Sequence, residues 1–84
     1  MPYPHRYITL SPEERNRISR LLQELSINRQ YRKRIRLQAI WLSDQKQTYL
    51  QISQNLNVTY QSVKMWIAAY RKVGLDEFMA RMKK

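Results

Sequence analysis

The sequence contains no cysteine, one histidine and one glycine among its 84 residues. Without cysteine there is no disulfide, no thiolate zinc site and no cysteine nucleophile, and one imidazole cannot assemble a histidine-rich metal site. Gly74 and three prolines, two of them within the first four residues, leave little turn chemistry for hairpins and argue against an all-β design. Acidic residues are also scarce: six Asp and Glu face sixteen Lys and Arg, a net charge of +10. That excess favours a polyanionic partner, nucleic acid first, over a neutral or cationic one. No apolar run approaches the roughly 20 residues needed to cross a bilayer, and the N-terminus has no apolar signal core. The expectation is a soluble, cytoplasmic protein without a membrane partner.

What is present is packing material. At 43% hydrophobic and 26% charged, the composition suits a folded chain rather than a disordered tail. A domain this short buries only about 60% of its unfolded surface, so a roomy catalytic cleft would consume much of what holds it together. The chain is therefore expected to be no enzyme.

Residues 1–10, with Pro2 and Pro4 and no helical period, read as an extended N-terminal arm in which Tyr3, Tyr7 and Ile8 are available for packing. Residues 11–84 read as a single all-α domain with helices at about 12–26, 29–44, 49–56, 60–73 and 75–82. Ser11-Pro12-Glu13-Glu14 supplies a cap serine, a first-turn proline and a glutamate, and Ile18, Leu21, Leu22 and Leu25 follow at i, i+3, i+4 and i+7. Asn28 is placed as the cap of the second helix, whose apolar side holds Tyr31, Ile35, Leu37, Ala39, Ile40, Trp41 and Leu42. Its first half also carries Arg29, Arg32, Lys33, Arg34 and Arg36. Asp44 to Gln47 reads as a loop. Thr48 with Gln51 repeats the cap signature, Asn57 stands where a left-handed residue ends a helix, Thr59 caps the next helix, and Gly74 stops it.

The informative stretch is Thr48 to Tyr70: a short capped helix, a tight connection at Leu56-Asn57-Val58, and a longer capped helix with its own apolar stripe. This is helix-turn-helix spacing. Ile52, Leu56 and Val58 are expected to pack beneath Val63, Trp66 and Ile67, pushing the N-terminal half of the second helix outward. Tyr60, Gln61, Lys64, Met65 and Ala68 then form a candidate base-reading face: Gln61 suits an adenine edge, Lys64 a guanine or phosphate, and Met65 or Tyr60 a thymine methyl. Thr48 and Thr59, at helix starts, and the cations Lys46, Arg71, Lys72, Arg32, Lys33 and Arg36 are candidate phosphate contacts. A single reader of this size spans few base pairs, so the expected partner is double-stranded DNA bound by a homodimer.

The run RIRLQAIWLSDQKQTYLQISQNLNVTYQSVKMWIAAYRKVGL, with the preceding LSPEER, resembles the N-terminal helix-turn-helix domain of bacterial insertion-sequence transposases of the mariner group, a homeodomain-like trihelical fold. The resemblance spans about Leu10 to Leu75. It is sharpest from Ile52 to Tyr70, where Leu56-Asn57-Val58-Thr59, Ser62-Val63 and Trp66 occupy the family's hydrophobic, cap and tryptophan positions. Asn57 stands where the family usually has Gly, and Ser53 where it usually has Ala. The resemblance implies a homeodomain-like core with an extra N-terminal helix and a short C-terminal one, and a prokaryotic, phage or mobile-element protein associated with the nucleoid. It implies sequence-specific DNA binding, as a small transcriptional regulator or a transposon-derived accessory factor. Transposases of that kind continue into a catalytic domain with acidic metal ligands. Here Glu13 and Glu14 belong to a cap and Asp76 and Glu77 to a helix start, so no acidic trio converges on magnesium. Binding without cutting is the expectation, with no metal, cofactor or small-molecule ligand.

Two rivals come from other classes. A protein-interaction adaptor would show a contiguous apolar patch at Tyr60 and Met65 with the cations elsewhere. An RNA binder would use the Arg-rich second helix, with Tyr31, Tyr49 or Tyr60 exposed together for stacking.

Overall fold

The computed structural model of the chain describes residues 8–81. Residues 1–7 of the expected arm, and Met82 at the expected end of the last helix, lie outside the described residues. Four helices follow in order, α1 (Pro12–Ile27), α2 (Tyr31–Asp44), α3 (Tyr49–Leu56) and α4 (Tyr60–Ala80), and no strand occurs among the described residues. The fold is all-α.

α1 begins because Ser11, in an extended conformation, accepts the Glu14 N–H at 3.2 Å while Pro12 occupies the first helical position. Its end corrects the sequence reading. Asn28 does not cap the second helix, which starts at Tyr31 and not at residue 29. The Asn28 and Gln30 N–H groups instead return to the carbonyls of Glu24 and Leu25 at 2.9 and 2.8 Å, closing α1. Arg29 between them is left-handed, with φ 57, and so cannot belong to a helix. Satisfying α1's last carbonyls outweighs the local preference of Asn for an N-cap. The N-cap falls to Gln30, whose side chain makes no capping bond, and the first turn of α2 holds no acid.

The core is Ile18 of α1, Leu37 and Ile40 of α2, Ile52 of α3, and Val63 and Ile67 of α4, all without solvent exposure. Each such side chain contributes about 1.5–3 kcal/mol through burial. Within α2 the buried positions begin at Leu37, so the earlier part of the expected stripe lies outside the core. Tyr31 is 56% exposed and Ile35 only half-buried, which removes both from the core. Trp41 and Leu42 are half-buried against it.

Gly74, at φ 81 and ψ 178, interrupts α4 in a region that is essentially glycine-only. The segment beyond it, residues 75–80, is helical, buries Leu75 and Phe78, and corresponds to the expected fifth helix over the described residues.

A buried carboxylate joins the entry of the chain to this bundle. Asp44, the last residue of α2 as the expected span of 29–44 has it, is buried, with its side chain 2% exposed. It accepts the Arg15 Nε at 2.7 Å and the Leu10 N–H at 2.9 Å, while Ser43 Oγ accepts the Ile8 N–H at 3.0 Å. These bonds satisfy the backbone of an extended segment whose Ile8 and Leu10 are buried. The Arg15 hydrogen bond holds the Asp44 carboxyl below the usual carboxylate range against the opposing effect of burial, with help from the Leu10 N–H.

Because the folded-state pKa lies below the unfolded one, the Asp44 contribution is complete above the unfolded value of about 3.9 and disappears as pH falls through the folded value. Asp44→Asn is expected to lower stability by about 1–3 kcal/mol at neutral pH. In urea unfolding, the gap between variant and parent closes as pH falls below about 4. Equal midpoints at pH 7 would contradict the assignment.

Candidate nucleic-acid interface

The α3–α4 unit is built from local bonds that the sequence specifies residue by residue. Thr48 accepts the Gln51 N–H at 3.1 Å, and the Gln51 side chain accepts the Thr48 N–H at 2.8 Å, a complete capping box. Asn57 ends α3 at φ 55 and ψ 47, and the Val58 N–H returns to the Ser53 carbonyl at 3.0 Å. Ser53 is buried, its hydroxyl donating to the Leu50 carbonyl at 2.7 Å. Thr59 then accepts the Ser62 N–H at 3.1 Å and starts α4.

Packing sets the rotation of α4. Val63, Ile67 and Tyr70, spaced by four and three, are buried in the core cluster that also holds Ile52. At 3.6 residues per turn, Gln61, Met65, Ala68 and Lys72 line the opposite side, with Lys64 and Arg71 along one flank. All six are exposed, Met65 by 61%. Trp66, expected beneath the helix with Val63 and Ile67, is only half-buried at the margin of the core. Tyr60 opens the helix 45% exposed, with its ring edge-on to Tyr49 at 5.8 Å between centroids.

The rear of α4 is fastened to α1 by contacts that helical periodicity does not reveal. The Tyr70 hydroxyl donates to Glu14 in a short hydrogen bond, and its ring meets Phe78 edge-on at 5.7 Å. Burial pushes the phenol's pKa well above its ordinary value, and the Glu14 hydrogen bond adds to this, so Tyr70 remains a neutral donor. Glu14, read from sequence as part of a cap, thus also anchors another helix. Arg17 pairs with Asp76 at 2.6 Å, but with side chains 55% and 84% exposed this pair is a weak tie.

The structure therefore brings Gln61, Lys64, Met65, Ala68, Arg71 and Lys72 onto one exposed side of one helix. Thr59 is exposed at its start, and Thr48 is half-buried at the start of α3. Lys46, left-handed at φ 67 between α2 and α3, donates to Thr9 Oγ1 at 3.2 Å. Arg32, Lys33 and Arg36 stand apart in the first turns of α2, Arg32 exposed and the other two half-buried. The face on α4 is convex, with amide, ammonium, guanidinium and thioether groups projecting outward. That shape suits contact with edges inside a groove rather than enclosure of a small molecule. Among the described residues no cluster of three or more His, Cys, Asp or Glu could hold a metal ion, and no helix is long and apolar enough to cross a membrane.

A family model described as a homeodomain-like domain matches residues 30–77, more than half of the chain, and covers α2, α3 and nearly all of α4. Neither the comparison with curated proteins nor that with solved structures gives a match.

The left-handed Asn57 sets the turn that aims α4. Asn57→Ala is expected to cost about 1–2 kcal/mol, the penalty of that conformation for a residue with an ordinary Cβ, whereas Asn57→Gly retains the parent's stability. Thermal unfolding checks this, and identical melting of the Ala and Gly variants would show that the turn makes no such demand.

Proposed function

The chain belongs to the homeodomain-like domain family, and from that premise we propose that it binds double-stranded DNA sequence-specifically, with the first half of α4 in the major groove. One observation carries the reading: Gln61, Lys64, Met65 and Ala68 are all exposed on the helix whose other side, Val63, Ile67 and Tyr70, is buried. Gln61 pairs with an adenine edge, Lys64 with a guanine edge or a phosphate, and Met65 or Tyr60 contacts a thymine methyl. Thr48 and Thr59, at two helix starts, and Arg71 and Lys72 toward the rear of the face meet the phosphate backbone, with Lys46 beside them.

The protein acts in this reading as a small transcriptional regulator or a transposon-derived accessory factor in the prokaryotic cytoplasm, associated with the nucleoid, and binds without cutting. It works as a homodimer on two half-sites, since one reading helix spans few base pairs. The adaptor reading is less well supported. Tyr60 and Met65, five residues apart, point in directions about 140° apart on the helix, with Gln61 and Lys64 between them, so they form no single apolar patch.

Phosphate contacts by Lys46, Arg71 and Lys72, with Lys64 as a fourth, give a slope of about −3 to −4 for log affinity against log salt, steepening to about −5 if Arg32, Lys33 and Arg36 also reach the duplex. Lys64→Ala lowers affinity by about 1–3 kcal/mol if Lys64 reads a base, and by less if it touches only phosphate. Anisotropy titrations on a duplex selected from a random pool test both. Salt-independent binding refutes the DNA reading, and equal affinity of variant and parent removes Lys64 from the face. Light scattering is expected to find two protein chains on each selected duplex; one chain both free and bound contradicts the dimer.

A further inference from the structure

A second charged surface lies where α1 gives way to α2. Between Glu24 and Asp44 the sequence has five cations and no carboxylate. Arg29, Gln30, Tyr31, Arg32 and Lys33 line an open groove of about 710 Å³ there. Tyr31 is 56% exposed, and Ile27 beside the groove 79%. A smaller adjoining groove of about 340 Å³ runs between α1 and Arg34. The Nε of Arg34 is buried and has no hydrogen-bond partner among the described residues. Among those residues, none of Arg29, Arg32, Lys33, Arg34 and Arg36 makes an ion pair. This corner also lies far from the rear attachment of α4. Glu14, Arg15 and Arg17 join the first turns of α1 to Tyr70, Asp44 and Asp76. The α2 groove is at the other end of a fourteen-residue helix, a rise of about 20 Å.

We propose that this groove binds single-stranded nucleic acid, one base stacking on Tyr31 and the neighbouring phosphates meeting Arg29, Arg32 and Lys33. The charge selects a polyanion. A second copy of the chain would set the same cations against one another, which disfavours a self-interface here. The exposed Tyr31 ring among those cations then favours a single strand. A duplex hides its base faces within the stack, leaving the exposed Tyr31 ring unused. An unpaired strand offers a flat base and a phosphate within one nucleotide, the combination that aromatic rings flanked by cations recognise. Guanidinium groups outnumber ammonium groups here, and guanidinium both forks onto phosphate and stacks on bases. No residue of α4 lines this groove, so its test does not depend on the duplex reading.

The test compares a short labelled oligothymidylate with a mixed-sequence duplex in anisotropy titrations on the full chain. Tyr31→Ala and the double variant Arg29→Ala/Arg32→Ala are expected to weaken oligothymidylate binding about tenfold, while Tyr31→Phe, which keeps the stacking ring, stays within twofold of the parent. Tyr31→Ala leaves duplex binding within twofold, and Lys64→Ala leaves oligothymidylate binding within twofold. Three contacts give a single-strand salt slope near −2. Tyr31 is exposed, and circular dichroism of each variant verifies the fold. The proposal is overturned if oligothymidylate does not bind, if Tyr31→Ala leaves its affinity unchanged, or if Lys64→Ala abolishes it. Tighter binding of a Glu-rich amphipathic peptide than of the strand, lost in Tyr31→Ala, would likewise overturn it in favour of a protein partner. Loss of duplex binding alone bears on the α4 face and leaves this surface standing.

Discussion

Everything displayed on the outside of α4 depends on what is buried on its inside. Val63 and Ile67 have no solvent exposure and Tyr70 little, and they share a core with Ile52 of α3 and with Leu37 and Ile40 of α2. Close packing tolerates little rotation, because turning the helix by one residue would carry Lys64 inward and Val63 out. The exposed line of Gln61, Met65, Ala68 and Lys72 is thus the geometric complement of the apolar stripe. The left-handed Asn57 and the Thr59 cap set where that helix begins.

The few acids of this cationic chain are placed with economy. Asp44 is buried against Arg15 and the Leu10 N–H, Glu14 receives the Tyr70 hydroxyl, and Asp76 meets Arg17. Half of the six carboxylates therefore tie α1 and the segment before it to α2 and α4. The matched homeodomain-like region begins at residue 30, so these ties attach an additional N-terminal segment to the trihelical unit. Spending acids on such joints leaves the cations of α2 without acidic partners among the described residues and contributes to the positive field around the fold.

Features governed by neighbours in sequence were legible in advance. The caps at Ser11, Thr48 and Thr59, the left-handed turn at Asn57 and the break at Gly74 each follow from one residue's conformational preference, and the α4 stripe follows from helical period. Features that depend on distant partners were not legible. Asn28 has the chemistry of an N-cap, but the carbonyls of α1 claimed the turn. The burial of Asp44 was not legible because nothing near it in sequence announces Arg15 or Leu10. Tyr31 and Ile35 continue the α2 period past the point where the core ends, so periodicity alone overstated their burial. The candidate reading face was legible because exposure on α4 is the reverse of burial, whereas the groove beside Tyr31 arises from a turn at Arg29 that no pattern of caps suggested.

The most direct test of this architecture is a backbone amide chemical-shift titration of the protein with duplex DNA. The account predicts that the largest changes fall on residues 59–68 and the exposed side of α4, with Val63 and Ile67 responding only as neighbours. Changes concentrated on α1, or on the segment after Gly74, with the amides of Gln61 and Lys64 unmoved, would contradict it.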